Sequence, residues 1–370
     1  MRVGSHAIAA QFVERGWEVA YVAAPITPLN FLQPSSSQFG ARLREYRSGG
    51  QRDLQGKLWH YVPFSLLAPS NRPLTRSPWL FRNWTKFSLP RIDTVVRNAG
   101  FDDVDVLFLD SIYQPAWLDD VRYKRCVVRL SDHNAGFRGY GAGARESEML
   151  AIARADLVVT ASQQLPQWAL DNGAKKAMFL PNGVDIERFA AQPERPAEYV
   201  PLSGPIAVFV GDISAWVDLD LVGKSARALP HVNFVLIGPG AKSYRKGSIP
   251  ENIHFLGIKS HRELPAYLLH ADVGLIPFHL EKHNNLVAHI HPLKLYEYLA
   301  AGLPVVSTRW SEIESLASPA VLCSSVPEFV AAIAAALDNT DHSQHHQKYA
   351  ESAAWPLRLA PLFSWLDRDV

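Results

Sequence analysis

Short apolar runs alternate with stretches of helical period from one end of the chain to the other. The runs predict strands at 18–23, 106–109, 126–130, 157–160 and 178–180. A second series follows at 206–210, 233–237, 253–256, 273–276, 305–307 and 320–322. Strands apolar throughout their length, separated by helices, imply parallel sheets covered on both faces. Between the two series, residues 190–204 are rich in Pro and Glu and carry neither period, which reads as a linker. The expected division is therefore an N-terminal Rossmann-like domain at 1–189, a linker at 190–204, a second Rossmann-like domain at 205–352 and a terminal segment at 353–370. That last segment reads as a helix with Pro356 in its first turn, where a missing N–H costs nothing. At the other end, residues 5–15 read as a helix closed by Gly16. Only Met1-Arg2-Val3-Gly4 precede it, although a doubly wound domain opens on a central strand. The expectation is that such a strand lies upstream of the first residue given; the alternative is a sheet without it.

Length and composition sharpen this only a little. A chain of 370 residues exceeds one ordinary core and suits two domains. With 48% hydrophobic and 20% charged residues it reads as soluble and globular, and a net charge of +1 gives no global reason to bind nucleic acid. Cys126 and Cys323 lie far apart in apolar runs and read as reduced, buried thiols of a cytoplasmic protein. No charged-then-apolar leader and no run of ~18 apolar residues is present, so neither a secretion signal nor a membrane span is expected.

The richest segment for chemistry is His291-Pro292-Leu293-Lys294-Leu295-Tyr296-Glu297-Tyr298-Leu299-Ala300-Ala301-Gly302-Leu303-Pro304-Val305-Val306, a loop, short helix, glycine stop and buried strand. Lys294 falls in the first helical turn, where free N–H groups and the positive dipole end already favour an anion such as a diphosphate. Glu297 lies one turn on, on the same face, placed to accept from ribose hydroxyls; the same pair would also form an ordinary surface ion pair. Leu293 and Tyr296 complete the expected donor-binding helix. Val210-Gly211-Asp212-Ile213-Ser214-Ala215-Trp216-Val217-Asp218 follows the first strand of the second series, and Gly211 there would let backbone approach a phosphate or sugar. Gly238-Pro239-Gly240 follows another strand. It lacks the third glycine of a dinucleotide fingerprint, Ser243 standing in its place, and reads instead as a loop over the nucleoside, with Gly238 in contact. Asp218-Leu219-Asp220 has acid-x-acid spacing, but it opens an amphipathic helix, where the dipole favours acids, and no metal is expected.

Taken together, the 291–306 segment resembles the nucleotide-sugar site of GT-B-fold glycosyltransferases, those of bacterial polysaccharide synthesis in particular. Leu180-Pro181-Asn182-Gly183-Val184-Asp185 resembles that family's signature near the end of the first domain. The resemblance implies two facing Rossmann-like domains, with the terminal helix crossing back through Trp355, Phe363 and Trp365. It gives Glu297 to the ribose and Lys294 to the donor phosphates. Many retaining members carry an acid eight positions before the ribose Glu; here His289 stands there. In the first domain, Val127-Val128-Arg129-Leu130-Ser131-Asp132-His133-Asn134 runs from a buried strand to the carboxyl edge of its sheet, where open α/β sheets bind ligands. The segment is similar to one in the inverting glucuronosyltransferases of xanthan synthesis, which implies Asp132 as general base. A carboxylate desolvated in a closed cleft can take the proton of an attacking hydroxyl. His133 is the rival base, and a turn or capping role for Asp132 is the structural alternative.

Residues 72–97 hold six cations (Arg72, Arg76, Arg82, Lys86, Arg91 and Arg97) against one acid, Asp93. Interleaved Trp79, Phe81, Trp84 and Phe87 make this stretch either a membrane-interface element or a helix packing its aromatics inward. Arg145, Glu146 and Glu148 read as a solvated helix face, Ser5 as a helix cap, His6 as a candidate ligand contact, and His342, His345 and His346 as a weak metal pattern. The sequence thus predicts a metal-independent glycosyltransferase taking a UDP- or GDP-linked sugar to a lipid-linked or glycan acceptor, with no nucleic acid. The expected location is cytoplasmic, peripheral at the inner face of the cell membrane. A retaining enzyme of the same fold, a sugar-nucleotide epimerase and a non-catalytic sugar-nucleotide binder are the alternatives.

Overall fold

The computed structural model describes residues 3–31, 39–136, 140–214, 216–240, 249–280, 287–338 and 343–368. They form two compact units, Met1–Pro181 with Pro361–Val370, and Asn182–Ala360. The boundary corrects the expected one. The stretch 190–204 is not a free linker but part of the second unit, because Tyr199 is fully buried there and Glu198 pairs with Lys259.

The first unit holds two sheets. Strands β1 (Val19–Val22), β2 (Gln51–Asp53) and β3 (Leu58–Tyr61) run in the order β1-β3-β2, with β2 antiparallel. Strands β4 (Asp103–Leu109), β5 (Arg122–Leu130), β6 (Leu157–Thr160) and β7 (Ala177–Phe179) form an all-parallel sheet in chain order. Neither β2 nor β3 was expected from the pattern: β2 is polar and exposed, and His60 interrupts the apolar run of β3. The helix Val3–Glu14 precedes β1, and Met1 and Arg2 lie outside the described residues. Its Phe12 meets Phe108 of β4 edge-on, and Phe363 of the last helix lies 4.9 Å from the same ring.

The second unit is a six-stranded parallel sheet of β8 (Ile206–Val210), β9 (Asn233–Ile237), β10 (Ile253–Gly257), β11 (Val273–Ile276), β12 (Val305–Thr308) and β13 (Val321–Cys323). Their order is β10-β9-β8-β11-β12-β13. The chain winds outward from β8 in one direction and then restarts at β11 in the other. The pair β8–β11 is therefore the topological switch point, the place where such sheets open a ligand crevice at their carboxyl ends. The strand cores are nearly all buried, as expected for apolar runs covered on both faces. The last helix, Trp355–Asp367, starts in the second unit and ends in the first. Both cysteines are free and buried, and desolvation pushes their thiols up, to about 12 for Cys126 and about 11 for Cys323.

Candidate active site

The helix Leu293–Ala300 lies against the switch point of the second unit. Its Tyr298 is buried and its hydroxyl accepts from the Val210 N–H, 2.8 Å away at the end of β8. That bond ties the second turn of the helix to the end of β8. Asn182, buried, donates to the His291 carbonyl at 2.9 Å and so secures the loop that opens the helix, which gives the 180–185 segment a structural task.

Lys294 lies at the carboxyl ends of β8 and β11. Its ammonium sits over the ring of Phe209, from β8, at 4.6 Å and over that of Phe278, just past β11, at 4.7 Å. Aromatic faces attract a cation but supply no negative charge. Burial pushes the ammonium down to about 8, while Glu297 and Asp212 pull the other way. Gly211 makes room for it: a side-chain carbon there would stand 3.0 Å from the Lys294 nitrogen. Gly238 lies so close to the Gly211 carbonyl (1.8 Å from where its Cβ would be) that only glycine fits. Gly238 is thus required by close backbone approach, whereas Gly211 leaves room for side chains.

Glu297 has partners that sequence reading missed. Its carboxylate lies 3.6 Å from the Arg188 guanidinium and 3.3 Å from His261 Nε2. Arg188 also donates to the His261 carbonyl and lies 3.0 Å from its ring nitrogen. These three come from distant parts of the chain and carry no local motif. Tyr296 is a correction. Its side chain is fully buried, shares a 3.1 Å hydrogen bond with His291 and stacks on that ring, so it is core and cannot contact a donor. Leu293 is half-buried at the helix start. Asp218 caps the helix Leu219–Ala228 by accepting from the Leu221 N–H, and Asp220 pairs with Lys224 one turn on. His346 bonds the Gly302 carbonyl; His342, Ala215 and Ser243 lie outside the described residues.

In the first unit, β5 delivers Arg129 and then the loop 131–134 to the carboxyl edge of its sheet. Arg129 is buried against Asp110, which follows β4, with Nη1 3.0 and 3.2 Å from the two carboxylate oxygens. Ser131 donates to the same carboxylate at 3.2 Å, and Ser5 donates to it from the first helix rather than capping that helix. Asp132 and His133 are half-buried, and the His133 ring meets Trp168 edge-on at 5.6 Å. Glu148, read as part of a solvated face, is 1% exposed. It accepts from Asn134 at 2.6 Å and from the Tyr140 hydroxyl. Glu146, by contrast, is an exposed partner of Arg82 at 3.2 Å. His6 stacks on His60 at 4.8 Å.

The stretch 72–97 divides by face. Phe81 and Trp84 are buried, which removes them from any surface role. Trp79, Leu74 and Leu89 are exposed, as are all six cations.

Comparison with known proteins agrees with this architecture. Residues 204–339 match the family described as "Glycosyl transferases group 1", and residues 1–161 match "Glucuronosyltransferase GumK, N-terminal domain". A Bacillus subtilis (strain 168) protein named as a teichuronic acid biosynthesis glycosyltransferase, TuaH, is 29% identical over 186 residues, 48% of this chain and 46% of that protein. A second of that description, TuaC from the same organism, is 25% identical over 214 residues, 55% and 52% of the two chains. The chain thus spans about half the length of the curated relatives it matches. Among solved structures, sucrose-phosphate synthase from Thermosynechococcus elongatus shares the fold at a TM-score of 0.67 and 14% identity, over 97% of this chain and 91% of that one. Anabaena HepE in complex with UDP and glucose does so at 0.62 and 16%, over 84% and 87%.

Proposed function

We propose that this chain, which belongs to the GT-B-fold glycosyltransferases, moves a sugar from a nucleoside diphosphate onto an acceptor hydroxyl with inversion at the anomeric carbon. The observation that carries the reading is the Lys294 ammonium, half-buried at the switch point of the second sheet over two aromatic faces. A leaving diphosphate there would gain that cation and the free N–H groups of the helix start, so its charge needs no metal ion. Glu297, edged by Arg188 and His261, would take the ribose. UDP is favoured over GDP as the nucleotide because HepE, of the same fold, is described with UDP.

Asp132 would act as the base. The acceptor oxygen gives its proton to the carboxylate as it bonds to the anomeric carbon, and the bond from that carbon to the diphosphate oxygen breaks. The GumK-type first domain and the teichuronic acid relatives favour a polysaccharide or lipid-linked acceptor. Among the described residues no helix is long and apolar enough to cross a membrane. Contact with a lipid-linked acceptor would fall instead to a peripheral surface, the exposed cations of 72–97 with Leu74, Trp79 and Leu89.

Thermal-shift titration with UDP-, GDP- and dTDP-sugars identifies the donor, since a matched ligand raises the melting temperature by mass action. The matched donor is then incubated with and without lipid-linked glycan acceptors, and nucleotide release and product anomer are read by NMR. Inverted product formed only with acceptor is the expected result. A retained anomer would remove Asp132 from the base role, sugar isomerised without acceptor would make the chain an epimerase, and binding without turnover would make it a non-catalytic partner.

A further inference from the structure

The loop 131–134 is short, and each of its ends is tied to a carboxylate, half-buried Asp110 at one and buried Glu148 at the other. At the strand end, Ser131 is held by Asp110, itself fixed by Arg129 and Ser5. At the far end, Asn134 Nδ2 donates to Glu148 Oε1 at 2.6 Å, and Tyr140 donates to the other oxygen. Glu148 sits on the helix Ala142–Arg154, whose neighbouring Ser147 donates to the Ile112 carbonyl, so the same helix is braced against the segment after β4. Both donors to Glu148 are neutral. Burying a carboxylate on neutral partners is costly beside an apolar residue of like size, and the cost is explained if the fixed geometry serves the loop.

We propose that Glu148 is a positioning residue for the reaction: through Asn134 it holds the loop 131–134 and so fixes where Asp132 meets the acceptor hydroxyl. The inference rests on the reading of Asp132 as base. Its physical basis is that proton transfer requires the carboxylate within hydrogen-bond reach of the attacking oxygen, and displacement of about 1 Å costs ~10²-fold.

The test is a double-mutant cycle on the full chain, with kcat, donor Kd and melting temperature read for each variant. Glu148→Ala is expected to lower kcat by about 10–100-fold. Donor Kd should stay within about twofold, because Lys294 and Glu297 lie in the other unit. Glu148→Gln keeps length and one acceptor oxygen and should recover kcat to within about fivefold of wild type. In an Asp132→Asn background, Glu148→Ala should cost less than about twofold more, as residues that act as a unit do not add. If Glu148→Ala does not fold, Asn134→Ala cuts the same tie from the loop side and carries the same expectations. Wild-type kcat in the variant that folds, or its full loss repeated on top of Asp132→Asn, overturns the proposal. Retained turnover in Asp132→Asn alone would overturn the base reading itself, a separate outcome.

Discussion

The two regions proposed to carry the chemistry are built on opposite electrostatic plans. Around Asp132 the flanking residues are saturated with internal bonds: Arg129, Ser131 and Ser5 converge on Asp110, and Asn134 and Tyr140 on Glu148. Around Lys294 the cation rests on two aromatic rings and its pKa is depressed by burial, while Glu297 has gone to Arg188 and His261. The first region is tied down by side-chain bonds of its own; the second holds a charge whose desolvation Glu297 and Asp212 offset only in part. A base must be in place when the proton leaves, whereas an anion site gains affinity and discrimination by keeping its cation under-compensated.

The largest effect that would break this contrast is on turnover. Asp132→Asn should lower kcat by ~10²–10⁴-fold with donor Kd unchanged, measured by nucleotide release and calorimetry; retention of a tenth of wild-type turnover would hand the role to His133. Next comes Lys294→Met. It should lower kcat/KM for the donor by ~10²-fold, while raising the melting temperature of the free protein near neutral pH, because it removes an ammonium that burial penalises. The sign follows from the depressed pKa. Between about 8 and the unfolded value the unfolded chain binds more protons, so stability should rise with pH in that window, by at most about 3 kcal/mol in full. Donor affinity should move oppositely, falling as pH climbs through about 8, and a flat profile in both would show that Lys294 is not the anion's partner. Glu297→Gln is smaller: donor Kd should weaken by about threefold to tenfold, through one lost charge-assisted bond to ribose. The smallest is at the surface of 72–97. Trp79→Ser with Leu74→Ser should reduce sedimentation with anionic vesicles a few-fold and leave turnover on a soluble acceptor unchanged, and equal binding to neutral vesicles would set aside the electrostatic part.

Much of the fold was legible because the strands that matter are apolar on both faces. The expected runs at 157–160, 206–210, 233–237 and 273–276 coincide with β6, β8, β9 and β11. The pattern failed where a strand is polar, as in Gln51–Asp53, and where a Pro- and Glu-rich stretch folds down by burying one tyrosine, Tyr199. It also placed Tyr296 with the donor because helical spacing alone does not say which face of 293–300 meets the sheet.

The sequence by itself determined the alternation of strands and helices, the pair Lys294 and Glu297 on one helical face, and the position of Asp132 at a sheet edge, since each follows from residue type and local spacing. Only the tertiary structure decided that Lys294 lies between Phe209 and Phe278, that Arg188 and His261 attend Glu297, and that Glu148 is a buried anchor and not a solvated acid. Those relations join residues far apart in the chain, and no local pattern encodes which side chains the winding of a parallel sheet brings together.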